Sequence, residues 1–385
     1  MNSESNLTLR SAGFAAVGPI TTLNGGNLSA PNGIALSASQ TIVGNGTVNA
    51  KIAAQIGSTI SATGNLALGD VASFSGFVSD GELYTNDHAV LLNDRDAAVL
   101  GALTVIGNSS GAGTLTAANG VLLSAGKTLT GYGIINGAFR NDGFVQGEGP
   151  SAGNQIDFAS AVTGVGNFGG SVKFSDVYSP GNSAVEVALH DVELGSNAKL
   201  QIDLTGFQQG SQYDYLNASG MAVVGGTLAV NRAAGILPGL GTGFTIMTFA
   251  SRSGTFSSYS GLGLDGKLVL KPLYRANSLV LQALPAIDGD INLDGTVNIF
   301  DINAVSSRWN TSDPLGDANG DGIVNIFDIN LISSNWGASG STSAVPEPSS
   351  LALATIGLLG LVGCIYRIRD QLATRTSPRM SKKDL

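Results

Sequence analysis

Two stretches of twelve residues hold the side chains best suited to chemistry. The first is Asp290-Ile291-Asn292-Leu293-Asp294-Gly295-Thr296-Val297-Asn298-Ile299-Phe300-Asp301. The second begins 27 residues later as Asp317-Ala318-Asn319-Gly320-Asp321-Gly322-Ile323-Val324-Asn325-Ile326-Phe327-Asp328. Oxygen-bearing side chains stand at positions 1, 3, 5, 9 and 12 of each: Asp290, Asn292, Asp294, Asn298 and Asp301, then Asp317, Asn319, Asp321, Asn325 and Asp328. Position 7, Thr296 or Ile323, adds a backbone carbonyl. Calcium is a hard cation that takes about six to eight oxygen ligands, and alternate residues of a tight loop deliver them to one centre. Gly295 and Gly322 stand at position 6, where the chain must turn sharply. Two copies in register predict two Ca2+ ions.

The elements around these loops narrow the reading. The spacing is that of an EF-hand loop, but Asp replaces Glu at position 12. Ala283 to Ile287 and Ser312 to Pro314 precede the loops, so no helix enters either one. A helix leaves each instead, with Ile302, Val305 and Trp309 at helical spacing in the first and Ile329, Ile332 and Trp336 in the second. A duplicated loop–helix unit of this kind, over 288–337, resembles the dockerin type I family. The resemblance implies a calcium-dependent fold, a cohesin-like protein partner, and a link to polysaccharide-degrading assemblies. It assigns partner contacts to Ile299, Phe300, Ser306 and Ser307, and to Ile326, Phe327, Ser333 and Ser334. Small hydroxyl residues are usual at positions 10 and 11 in that family. Here both copies are apolar, so the partner groove is greasier than usual or these residues pack inward.

The C-terminal end reads as an address. Val345-Pro346-Glu347-Pro348 precedes an uncharged apolar run, Leu351 to Tyr366, which Arg367 and Arg369 follow. The run is close to the length of a membrane span, and its basic flank agrees with the positive-inside rule. Residues 345–369 resemble the PEP-CTERM sorting signal. That resemblance implies a transmembrane helix, recognition of Pro346, Glu347 and Pro348 by an exosortase-type enzyme, and delivery to the surface or exterior of a Gram-negative bacterium. Residues 338–344 read as a flexible linker and 370–385 as a basic tail. At the other end, Met1 to Gly18 holds no signal-peptide core. The phrase Leu28 to Ala38 recurs as Leu115 to Ala125, 87 residues on, and Thr41, Gly44, Gly46 and Asn49 recur as Thr128, Gly131, Gly133 and Asn136. Nothing like Leu91-Leu92-Asn93-Asp94 precedes the first copy, so the chain is expected to begin inside an earlier repeat.

Residues 1–285 form a body of another kind. Charged residues are 12% of the chain, Gly numbers 54, and Lys plus Arg only 19, which argues against a nucleic-acid surface. Alternating runs such as Leu200/Ile202/Leu204, Leu228/Val230 and Phe244/Ile246 are punctuated by Gly and Asn. They predict a mainly β fold, a right-handed parallel β-helix over 1–194 whose turns stack apolar faces into one core. The strands lengthen over 195–285, which predicts a β-sandwich-like end or irregular final turns; an ordinary sandwich throughout is the alternative. Residues 27 to about 180 resemble the passenger-type β-helices of autotransporter-like surface proteins.

Catalytic signals are weak. Gly107 to Gly111 and Gly261 to Gly266 match a nucleophile elbow and a dinucleotide fingerprint only on paper. His88 and His190 sit on separate segments. Acids such as Asp94 and Asp96, or Glu186, Asp191 and Glu193, are not paired by any spacing that glycoside hydrolysis would need. Cys364 stands alone, so no disulfide framework exists. The reading that follows is a non-enzymatic surface or matrix protein, a β-helical stalk or adhesin with a calcium-dependent docking module. The rival is a polysaccharide-degrading or polysaccharide-binding β-helix held to a scaffold by that module.

Overall fold

Three-residue apolar strands bury their first and third residues. Ile34–Leu36, Ile52–Ala54 and Val121–Leu123 all do so. In a computed structural model describing residues 5–148, 154–181, 184–264 and 267–339, these strands do not turn back on their neighbours. They stack in parallel, Ile34 beside Ile52 and Ile52 beside Phe77. The ladder then runs from Ala98 through Val121, Phe139, Val162 and Tyr178 to Leu200 and Leu228. The result is a twelve-stranded sheet. A second, twenty-stranded sheet folds lengthwise into two further columns. Each turn therefore crosses three columns around a single apolar core, and the body is a parallel β-solenoid. Aromatic rings stack down part of that core, Phe174 on Tyr178 at 4.0 Å and Phe158 on Phe174 at 5.6 Å.

The fold of the second sheet lies at glycines. Gly44 has φ 132° and Gly131 φ 108°. A Cβ on Gly131 would lie 2.0 Å from the Ile106 carbonyl oxygen of the adjoining turn, and one on Gly44 1.9 Å from the Leu23 oxygen. Turns can close to hydrogen-bonding distance at this corner only where no side chain stands between them. The sequence echo has the same origin. Ile34 and Val121 lie four turns apart on one ladder, through Ile52, Phe77 and Ala98, so the 87-residue repeat is a block of four turns.

The region from residue 195 continues the solenoid. Lys199–Leu204 pairs in parallel with Thr227–Arg232, which pairs with Ser258–Ser260. The strands do lengthen, to six residues each in the first two of these, but they remain turns of the solenoid, the second of the two expected alternatives. Among the described strands only the last reverse. Ser278–Pro285 runs antiparallel to both Gly243–Thr248 and Leu268–Tyr274, and this terminal hairpin closes the large sheet. Among the described residues no helix is long and apolar enough to cross a membrane. The apolar run expected to do so, with Pro346, Glu347 and Pro348, lies outside the described residues.

One buried acid stitches the final turns together. Asp214 is fully enclosed and accepts hydrogen bonds from the Val185 and Asp203 amides at 2.9 and 2.8 Å. Burial pushes its carboxyl up to about 7, against the pull of those two bonds.

Two outcomes are expected. Gly131→Ala should cost roughly 3 kcal/mol or more in denaturant unfolding, through overlap with Ile106. Gly126→Ala, also at positive φ but with open space around it, should cost only about 1 kcal/mol. The second outcome concerns pH. The unfolded chain loses the Asp214 proton near 3.8 and the folded chain near 7. The contribution of the protonated carboxyl is therefore full below pH 3.8 and lost as pH rises through 7. Stability should fall across that window by roughly 3–4 kcal/mol more in the wild type than in Asp214→Asn, read from denaturation midpoints at several pH values.

Candidate functional site

The two Asp-rich loops fold alike because they hold the same carboxylates against the same amides. In the first, Asp290 accepts from the amides of Asp294 at 3.0 Å and Gly295 at 2.9 Å. In the second, Asp317 accepts from Asp321 at 3.1 Å and Gly322 at 2.8 Å. Position 12 closes the loop from the other side. Asp301 accepts from Asn292 and Asn298, and Asp328 from Asn319 and Asn325. Position 5 is exposed and bonds within its own turn: Asp294 accepts from the Thr296 amide and Asp321 from the Ile323 amide, both at 2.9 Å. Asn292 and Asn319 accept from the amides of Asp294 and Asp321 at 2.8 Å. Gly295 and Gly322 take φ values of 92° and 94°, as the sharp turn at position 6 requires.

Each loop buries charge. Asp301 and Asp328 are fully enclosed, and Asp290 and Asp317 nearly so. Burial pushes the Asp290 and Asp317 carboxyls up from the usual Asp range; the Gly295 and Gly322 amides pull them down, and the neighbouring Asp301 and Asp328 push them up again. The ion pairs seen among the described residues leave these four acids out. Buried carboxylates without a cation are costly, and a hard cation would offset that cost. Among the described residues no group of three or more His, Cys, Asp or Glu side chains is disposed to hold a metal ion. The donor set is nevertheless all oxygen, which fits calcium chemically.

Position 9 has a use that the loop spacing alone does not reveal. Asn298 and Asn325 cap the helices Ile299–Ser306 (α1) and Ile326–Ser334 (α2), each accepting from the amide of the following Phe at 2.8 Å. Asp301 and Asp328 complete a capping box. The signal was present as Asn-Ile-Phe-Asp, an N-cap with an acid three residues on. The amides of Asn298 and Asn325 side chains also reach the Thr296 and Ile323 carbonyls, the oxygens of position 7.

The repeats interlock. Val297, at position 8 of the first loop, donates to the Ala338 carbonyl and accepts from Gly337, beyond the second helix. Val324, its counterpart, donates to Thr311 and accepts from Asn310, beyond the first helix. Ile291, Val297, Val305, Ala318, Val324 and Ile332 form a small core of their own. Neither repeat completes its core or its backbone pairing without the other.

The apolar residues at positions 10 and 11 point outward. Ile299 and Phe300 are 49% and 64% exposed, and Ile326 and Phe327 50% and 63%, so the inward-packing alternative does not hold. Helix N-termini place them at the rim, while Val305 and Ile332, one turn on, take the core. Ser306, Ser307, Ser333 and Ser334 are exposed as well. Trp309 and Trp336, expected at helical spacing with Val305 and Ile332, instead fall past the ends of α1 and α2 and are exposed, because each helix stops two to three residues before its Trp.

The solenoid offers less. Asp191 and Glu193 line a shallow depression of about 170 Å³ with Gln155, Ser171, Met221 and Val223, but Asp191 accepts the Met221 amide and Lys173 lies 3.4 Å from Glu193. Glu186 sits in the neighbouring column, beside Tyr215. Asp94 is buried and holds the Phe77 and Asp96 amides. Gly107 to Gly111 is a tight turn closed by reciprocal Asn108–Gly111 bonds, not a strand-to-helix elbow.

Residues 344–367 match the PEP-CTERM protein-sorting motif. No curated protein matches the chain.

Proposed function

We propose that this chain is an exported surface protein in which a β-solenoid carries a calcium-dependent docking module. Export rests on the sorting motif, which implies an exosortase-type processing enzyme, membrane association before processing, and a Gram-negative envelope or surface. The docking reading rests on one observation: two interlocked loop–helix repeats enclose buried carboxylates while presenting the same exposed Ile-Phe pair. Asp290, Asn292, Asp294, Asp301 and the Thr296 carbonyl would hold one calcium ion. Asp317, Asn319, Asp321, Asp328 and the Ile323 carbonyl would hold the other. When bound, calcium supplies positive charge that the enclosed acids lack, and so stabilises the loops and the helices they cap.

The module is a dockerin-like unit, and its partner is a cohesin-like protein surface with apolar grooves. Covering a Phe and an Ile side chain is favourable by a few kcal/mol, at about 25 cal/mol per Å² of apolar surface. Ser306, Ser307, Ser333 and Ser334 lie on the same helices and would form the polar rim. The solenoid is the stalk that carries this module, and no catalytic role is needed to account for it.

Calorimetry with calcium chloride should read two sites per chain, and Asp290→Ala together with Asp317→Ala should remove both. If chelation leaves the helical circular dichroism unchanged, the link between metal and fold is wrong. Docking can be tested separately with immobilised cohesin modules. Replacing one pair, Ile299→Ser with Phe300→Thr, should weaken capture less than tenfold, because the second copy presents the same face. Replacing both pairs should abolish capture while the two calcium sites persist. Undiminished capture by the quadruple variant would remove these residues from the interface.

A further inference from the structure

The calcium loops do not hang free of the solenoid. Lys267, Lys271 and Arg275 recur every four residues along and beside the strand Leu268–Tyr274, so strand alternation puts them on one face. All three reach the module. Lys267 donates to the Leu293 carbonyl at 3.1 Å and Arg275 to the Gly320 carbonyl at 3.4 Å, while Lys271 pairs with Asp288. Leu293 and Gly320 are the same position, the fourth, of the two loops. Each lies between two residues of the oxygen set, Asn292 and Asp294 or Asn319 and Asp321. Both take a left-handed backbone, φ 60° and 73°, which turns the carbonyl out of the loop toward the cation.

The fit extends beyond charge. At Gly320 a Cβ would meet Leu273 and Leu284 of the terminal hairpin at 3.0 and 3.1 Å, so the second loop lies directly on that hairpin. Leu240 and Ile287, from the solenoid end and the connection, pack against the module core. The charges are complementary as well, since residues 288–337 contain eight aspartates and the single Arg308. A loop that changes shape on losing its ion must move the fourth carbonyl, and with it the contact to Lys267 or Arg275.

From this we infer that the module is a calcium-dependent cap on the C-terminal end of the solenoid, with Lys267 and Arg275 coupling the two loops to the terminal hairpin. The inference rests on the calcium reading above. Occupied loops hold the hairpin in place; emptied loops release it. The turns farther along the solenoid, which make no contact with the module, keep their order in both states.

Hydrogen exchange on the full chain, in calcium chloride and then in excess chelator, tests this. Chelation should speed exchange of amides over 268–285 at least tenfold and leave those over 41–49 and 128–136 unchanged. In Lys267→Ala/Arg275→Ala, calorimetry should still read two calcium sites, and the unchanged amides of the inner turns will show that the solenoid is folded. Exchange over 268–285 should then no longer respond to calcium. If chelation exposes 290–336 but leaves 268–285 protected in the wild type, the module is no cap, although calcium still binds. If the double variant keeps the wild-type calcium response, these two cations do not provide the coupling. If calorimetry reads no binding at all, the calcium reading itself falls, and the cap with it.

Discussion

At the corners of this solenoid a backbone carbonyl from one turn occupies the space where a side chain of the next would begin. The Ile106 oxygen over Gly131 and the Leu23 oxygen over Gly44 are two instances. Inter-turn hydrogen bonds need strands about 4.8 Å apart, and that spacing leaves no volume for a Cβ at a sharp bend. Abundant glycine thus follows from the bending of a sheet on itself. Few charges follow from the same geometry, since each short strand gives half its residues to the core. Deleting one corner glycine would strain two adjoining turns at once.

Much of this was legible. Alternation in Leu200/Ile202/Leu204 marked strands whose inward residues are now seen fully buried. The echo between Leu28–Ala38 and Leu115–Ala125 marked a structural period, although the number of turns within it depended on spacings that vary from turn to turn. Over 195–285 two alternatives stayed open, a sandwich-like end or final turns, because lengthened strands are common to both and only the pairing partners distinguish them. Parallel pairing is set by residues tens of positions apart, and no local pattern records it. At the candidate site, the positions of the acids, asparagines and glycines could be read directly. Which way Ile299 and Phe300 face could not, because α1 is only eight residues long and apolar on more than one side. Lys267 and Arg275 were invisible as partners of the loops, since their contacts cross 26 and 45 residues.

Body and module solve different problems of stability. The solenoid gains from repetition: each turn buries its apolar residues on the last, and a continuous ladder satisfies the backbone. The module has only a handful of core residues, below the size at which apolar burial alone secures a fold. It relies instead on carboxylates that accept two amides each, on caps worth about 1 kcal/mol apiece, and on the exchange of backbone bonds between repeats. These devices concentrate negative charge, which is the condition that gives a divalent cation its leverage.

The ladder bonds of the solenoid run along its long axis, and this has a mechanical side. Twelve stacked strands at about 4.8 Å make a rod roughly 50 Å long. Tension between its ends loads the bonds of the weakest terminal turn first, whereas a sideways load is shared by three columns. Under a pull the rod should therefore peel turn by turn instead of rupturing whole. The turn from Ile34 to Ile52 spans 18 residues and would pay out about 60 Å of extended chain. A short stiff rod becomes, under load, a long extensible tether that can shorten again when the force is gone.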